Sequence, residues 1–168
     1  MAMKTPAQYE DSLRKLKFKV YVQGELVENP VDHPIIRPSL NSVKKTYELA
    51  HDPEFQDLMT AESHLSGERV NRFCHLHQNT DDLMKKVKMQ RLLGQKTASC
   101  FQRCVGMDAI NSVDSVTFEM DKKLGTNYHE RFEKFLRQMQ EEDWTVDGAM
   151  TDPKGDRSLS PSKQPDPD

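Results

Sequence analysis

The chain has 168 residues, enough for one domain with its own core, and 30% of them are charged against 35% hydrophobic. A net charge of -3, with lysines and arginines interleaved among acids, excludes the clustered basic excess of a nucleic-acid footprint. No apolar run reaches the length of a membrane span, the residues after Met1 turn polar, and an odd count of three cysteines is not a secreted disulfide framework; together these predict a cytoplasmic, reduced protein.

Along the chain, residues 5–16 read as a short helix with Thr5 as N-cap, Pro6 in the first position and Gln8 closing a capping box. Residues 17–28 alternate through Phe18, Val20 and Val22 and turn at Gly24, which predicts a small hairpin. Three prolines make 29–38 an extended loop. Ser39 then caps a helix to about Ala50, and Asp52-Pro53 restarts a short one to Met59. Residues 60–78 carry no clear period, and Gly67 forbids a long helix there. Asn79 or Thr80 caps a helix to about Gly94, with Asp81 and Asp82 in its positive first turn. From Lys96 to Leu124 the spacing predicts one helix, with Phe101, Val105, Ala109, Val113, Val116, Met120 and Leu124 as a buried stripe and Gly125 as its C-cap. Another helix starts at Asn127, with Phe132, Phe135, Leu136 and Met139 as its apolar face. Residues 145–157 read as a strand leading into a turn-rich loop. The proline- and serine-rich 158–168 reads as a tail disordered in isolation, with the natural chain continuing past Asp168.

Chemistry concentrates in two places. Cys100 and Cys104 are four apart, which on a helix puts both thiols on one face together with Met107, Asp108 and Asn111. Two thiolates so placed could hold part of an iron–sulfur cluster or half a zinc site; the same spacing describes two small buried thiols in a helix interface. The second place is Met150 to Arg157, where Lys154, Gly155 and Arg157 lie in a turn-forming segment able to meet a phosphate or a flavin edge, or simply to face water. Cys74, His75 and His77 look like a metal tract but match no standard spacing and are assigned no role. Lys85, Lys86 and Lys88 read as a solvated helix face, and His33, His51, His64 and His129 are scattered.

Three stretches resemble a known family: Asp32 to Ser39 (Asp-His-Pro-Ile-Ile-Arg-Pro-Ser), Thr80 to Ala109 around Cys-Phe-Gln-Arg-Cys, and Val146 to Arg157 (Val-Asp-Gly-Ala-Met-Thr-Asp-Pro-Lys-Gly-Asp-Arg). The chain resembles the 4-hydroxybutyryl-CoA dehydratases, within the wider group of 4-hydroxyphenylacetate 3-hydroxylase-like flavoproteins, over nearly its whole length. The resemblance implies a mainly α fold: residues 1–144 as the amino-terminal helical domain of an acyl-CoA dehydrogenase-like flavoprotein, and 145–168 as the start of its middle β domain. It implies Cys100 and Cys104 as two ligands of a [4Fe-4S] cluster whose other ligands, a histidine and a cysteine, lie beyond residue 168. It implies Met150, Thr151, Asp152, Pro153, Lys154, Gly155, Asp156 and Arg157 as a segment that binds FAD. The implied enzyme is a lyase and isomerase, a cytoplasmic homotetramer acting on an acyl-CoA by a flavin radical mechanism with the cluster as Lewis acid. Residues 1–168 alone are expected to be inactive. A flavin-dependent aromatic hydroxylase without a cluster, and a non-catalytic helical interaction module, are the alternatives.

Overall fold

The computed structural model describes residues 3–148, 155–156 and 158–165. Helix α1, Pro6–Arg14, begins as its capping box dictates: Gln8 N–H donates to Thr5 Oγ1 at 3.2 Å, and Thr5 N–H donates to Gln8 Oε1 at 2.8 Å. Strands β1 (Val20–Val22) and β2 (Glu25–Val27) form the anticipated hairpin, with Gln23 and Gly24 at positive φ in its two-residue turn. Helix α2, Arg37–His51, starts two residues before Ser39, because Pro38 needs no N–H in a first turn and fits there. It buries Leu40, Val43, Thr46, Tyr47, Leu49 and Ala50.

Helix α3 is Gln56–Met59, and the stretch without a clear period then folds as a second antiparallel hairpin, β3 (Thr60–Glu62) with β4 (Arg69–Asn71). Helix α4, Thr80–Thr97, is capped by Asn79, whose Oδ1 accepts Asp82 N–H at 3.0 Å. Helix α5 is Cys104–Leu124 and ends at Gly125 with φ 65, as the sequence indicates. Helix α6 is Tyr128–Glu141. Asn127 gives it no side-chain cap; instead both oxygens of Asp121, from the last turn of α5, accept Tyr128 and His129 N–H at 2.8 Å each. Residues 145–148 are irregular where a strand was expected, and a short 3-10 turn spans Pro161–Lys163.

The single helix predicted over 96–124 is corrected. Helix α4 stops at Thr97, Ala98 takes a left-handed conformation (φ 50), and α5 begins only at Cys104. The run Thr97-Ala98-Ser99 explains the break: Thr97 Oγ1 donates to Leu93 O and accepts from Ser99 N–H, so side-chain oxygen replaces the helical ladder. The predicted stripe is corrected with it. In α5 the buried residues are Gly106, Met107 and Ile110, while Val113, Val116 and Leu124 are exposed. Once the helix starts at Cys104, its first two turns meet the core and its later turns extend past it.

The core has three parts. One joins Leu49, Met59, Phe73, Met89, Leu93, Phe101 and Met107 from α2, α3, α4 and α5 and the segments between them. A second joins Cys74, Leu76, Ile110, Phe132, Leu136 and Met139 beneath α5 and α6. The third holds Tyr9 and Tyr47, stacked at 4.7 Å, with Val31, Leu40 and Val43. The connection between α4 and α5, residues 98–103, closes over the first part.

Candidate functional site

In that connection Phe101 and Arg103 are buried while Cys100 is exposed and Gln102 and Cys104 are half-buried. The alternation comes from a tight turn: Gln102 is left-handed (φ 64), and Arg103 N–H donates to Phe101 O at 2.8 Å. Cys100 and Cys104 therefore come to the same outer side by this turn followed by a helix start, and not by one helical face as the spacing suggested. Cys100 lies close enough to the Cys104 thiol to act on its charge. Burial, then the neighbouring Cys100, pushes the Cys104 thiol up; the amides of Val105 and Cys104 at the helix start pull the other way. Of the rest of the face predicted with them, Met107 is buried, Asn111 accepts His77 N–H at 2.8 Å, and Asp108 is exposed and paired with Lys86.

Beneath the thiol pair lies a polar knot that the sequence did not announce. The Arg103 guanidinium is sandwiched between the rings of Tyr47 (4.6 Å) and Phe73 (4.7 Å). It donates to Thr46 Oγ1 at 3.0 Å and Trp144 O at 3.2 Å and sits 3.7 Å from Asp143. The Tyr47 hydroxyl donates to Asp143 O at 3.0 Å and lies 2.9 Å from Thr145 Oγ1, so α2, α5 and residues 143–145 meet at one point. Burial would lower the Arg103 pKa, but Tyr47, Cys74 and Asp143 around it raise it. Burial lifts the Asp143 carboxyl, offset in part by Arg103, and pushes the Cys74 thiol to about 12. Cys74 is thus an inert neutral thiol.

The other sequence candidates separate. His75 is buried, with Nε2 3.1 Å from Asp82, whose other oxygen takes Arg72 Nη1 at 3.1 Å. These three line a polar cleft of about 700 Å³ with Arg69 and Lys85. Lys85 pairs with Asp57 and Asp81, as a solvated face should. Among the described residues no group of three or more His, Cys, Asp or Glu side chains could hold a metal ion, so Cys100 and Cys104 offer two donors and no more. Of the segment read as flavin-binding, Met150, Thr151, Asp152, Pro153, Lys154 and Arg157 lie outside the described residues. Gly155 and Asp156 are exposed, and Asp156 accepts Ser158 N–H at 2.9 Å.

Comparison with known proteins decides the family. Residues 5–168 match the family described as 4-hydroxyphenylacetate 3-hydroxylase N terminal. The chain belongs to that family. It is 66% identical, over 98% of its own length and 34% of the relative's, to the 4-hydroxybutyryl-CoA dehydratase/vinylacetyl-CoA-Delta-isomerase of Clostridium aminobutyricum. Its fold matches an oxygen-tolerant archaeal 4-hydroxybutyryl-CoA dehydratase from N. maritimus with a TM-score of 0.88 and 54% identity, over 99% of this chain and 33% of that one. An oxygenase component of 4-hydroxyphenylacetate 3-monooxygenase complexed with FAD shares the fold at 23% identity and a TM-score of 0.71, over 98% of this chain and 34% of that one. The chain spans about a third of the length of the curated relatives it matches.

For this member of the 4-hydroxyphenylacetate 3-hydroxylase amino-terminal family, sequence reasoning missed Arg103, Thr46, Tyr47 and Asp143. The one signal available was that Arg103 lies between the two cysteines, and reading 96–124 as a continuous helix aimed it outward. Gly106 was missed as well: a methyl group on it would overlap the Val146 carbonyl, so α5 rests backbone to backbone on residues 146–147.

Proposed function

We propose that this chain is the amino-terminal part of a cytoplasmic homotetrameric enzyme that dehydrates 4-hydroxybutyryl-CoA to crotonyl-CoA and isomerises vinylacetyl-CoA, using FAD and a [4Fe-4S] cluster. What supports this most is the thiol pair. In a chain 66% identical to the dehydratase, a loop brings Cys100 and Cys104 to the outside together while Phe101 and Arg103 between them are buried. The donor set fits two corners of a thiolate-held cluster, and the rest of the ligands must come from outside the described residues. FAD is proposed on the ground of the oxygenase relative, with Met150 to Arg157 as the segment of this chain that meets it. Residues 1–144 are proposed as the helical domain and 145–168 as the start of a β domain.

When bound, the flavin supplies one-electron chemistry to an acyl-CoA whose C3 hydrogen the thioester does not activate, and the cluster supplies a Lewis-acid iron for the departing hydroxyl. The residues present supply position. Cys104, at the start of α5, is held by its own helix, and its proton must leave before the sulfur can bind iron. Cys100, exposed and one short loop away, would hold a second iron of the same cluster.

The test is the full-length protein purified without oxygen. It is expected to convert 4-hydroxybutyryl-CoA to crotonyl-CoA and to carry about four irons per chain. Cys100→Ala and Cys104→Ala should lose iron and activity together while retaining FAD, and residues 1–168 alone should be inactive. An active enzyme without iron, or a Cys100→Ala variant with full iron and full activity, would overturn the proposal.

A further inference from the structure

We propose that Arg103 is the positioning residue of the Cys100–Cys104 pair: it holds the loop that keeps the two thiols side by side. The proposal rests on the reading above only in what occupies the thiols; the positioning itself is a property of the loop.

The loop is not self-supporting. Residues 98–103 include two non-glycine residues in the left-handed region, Ala98 (φ 50) and Gln102 (φ 64), a conformation that persists only when surroundings enforce it. Three side chains do so. Ser99 Oγ lies 3.0 Å from Ser42 Oγ at the α4 end. Phe101 is buried against Phe73 in the middle, ring centroids 5.8 Å apart. Arg103 closes the α5 end, with 1% of its side chain exposed.

Arg103 makes the directional contacts. A planar guanidinium between two rings, with one nitrogen on Thr46 Oγ1 and another on Trp144 O, fixes both the plane and the depth of its own Cα. Its backbone passes this on in both directions. Arg103 N–H donates to Phe101 O at 2.8 Å, and Arg103 O accepts Met107 N–H at 3.2 Å. The first bond fixes the turn that carries Cys100, and the second fixes the helix start that carries Cys104. A lysine keeps the charge but cannot occupy both acceptors and the slot between the rings.

The experiment uses the full-length apoprotein and a trivalent arsenical, phenylarsine oxide, which binds tightly only where two thiols sit close together. Wild type is expected to bind it, and Cys100→Ala and Cys104→Ala are not. Arg103→Ala should bind at least tenfold more weakly and Arg103→Lys at least threefold. Thr46→Val, which removes one contact, should fall between Lys and wild type. Leu136→Ala, a core change in α6 that removes no Arg103 contact, should lower the melting temperature and leave arsenical affinity alone. Iron content and the visible spectrum of the anaerobic protein should follow the arsenical order. If Arg103→Ala does not fold, Arg103→Lys and Thr46→Val carry the test. Wild-type affinity in a folded Arg103→Ala or Arg103→Lys, an equal loss in Leu136→Ala, or a wild type blind to the arsenical overturns the positioning role. A protein that follows the arsenical order but never takes up iron upholds Arg103 and sinks the cluster.

Discussion

The trio His75, Asp82 and Arg72 shows what single residues contribute outside the thiol site. Arg72 is 2% exposed, spends Nε on Leu58 O at 2.7 Å and Nη2 on the carbonyls of Asp57 and Thr60, and gives Nη1 to Asp82. Burial would raise the Asp82 carboxyl, but Gln78 N–H, His75 and Arg72 outweigh it and hold it at about 2. Burial pushes His75 below its ordinary 6.5, only partly offset by Asp82. In both cases the unfolded chain takes up its proton first as pH falls. The His75 contribution is whole above about pH 6.5 and begins to be lost below it. The Asp82 contribution is whole above about pH 4 and is lost as pH falls towards about 2. Melting temperature should therefore decline in two stages on acidification. Asp82→Asn should lower stability at neutral pH by about 1–3 kcal/mol, because Arg72 and Gln78 lose an acceptor they cannot replace. It should also make the lower stage shallower. Glu10, held at about 2 by Arg37, Lys44 and Arg14, should keep part of that stage in the variant. Thermal melts from pH 8 to pH 3 decide it, and an Asp82→Asn curve parallel to wild type would remove Asp82 from the account.

Among the elements, those whose signals are local were legible in advance. The Thr5–Gln8 capping box, the Gly24 turn, the Asn79 cap and the Gly125 stop each act within a few residues, and each is where the sequence puts it. The break at 98–103 was not legible, because what sustains it is distant in sequence: Ser42, Thr46, Tyr47, Phe73 and Trp144. A periodic run of apolar residues outweighed the weak local warning of Thr97-Ala98-Ser99. The second hairpin was hidden for a similar reason, since its three-residue strands carry too little alternation to register. Cys100 and Cys104 could be picked out, yet the way they come together could not. The seating of α5 on residues 146–147 makes a direct prediction. Gly106→Ala places a methyl group against backbone that cannot rotate away, so stability should drop by about 1–3 kcal/mol or more. Gly94→Ala, at an open position of α4, should instead be neutral or stabilising by up to about 1 kcal/mol. Denaturant melts of the two variants would check the contrast, and equal effects would refute the close packing of α5 on Val146.

At the scale of the molecule, the surface is larger than the chain needs. Its accessible area is 11083 Å², whereas a compact monomer of this mass exposes on the order of 8,500 Å². Several large apolar residues stand exposed in groups. Val113, Val116 and Leu124 recur at helical spacing along the later turns of α5, Leu83 and Val87 sit one turn apart on α4, and Phe18, Tyr21 and Leu26 crown the first hairpin. A helix face with this pattern is built to be covered. Residues 1–168 on their own should therefore bind a hydrophobic dye and associate as concentration rises. The α5 face can be tested without touching the core, because Val113 and Val116 are 44% and 55% exposed. Val113→Lys with Val116→Glu should reduce dye binding and self-association of residues 1–168 while moving the melting temperature by no more than a few degrees. In the full-length protein the same pair should be costly, since there the charges would be buried, at several kcal/mol for each one left unpaired. Sedimentation of the short chain and thermal melting of the long one give the two readings. A pair of substitutions harmless in both would mean that this face of α5 is never covered.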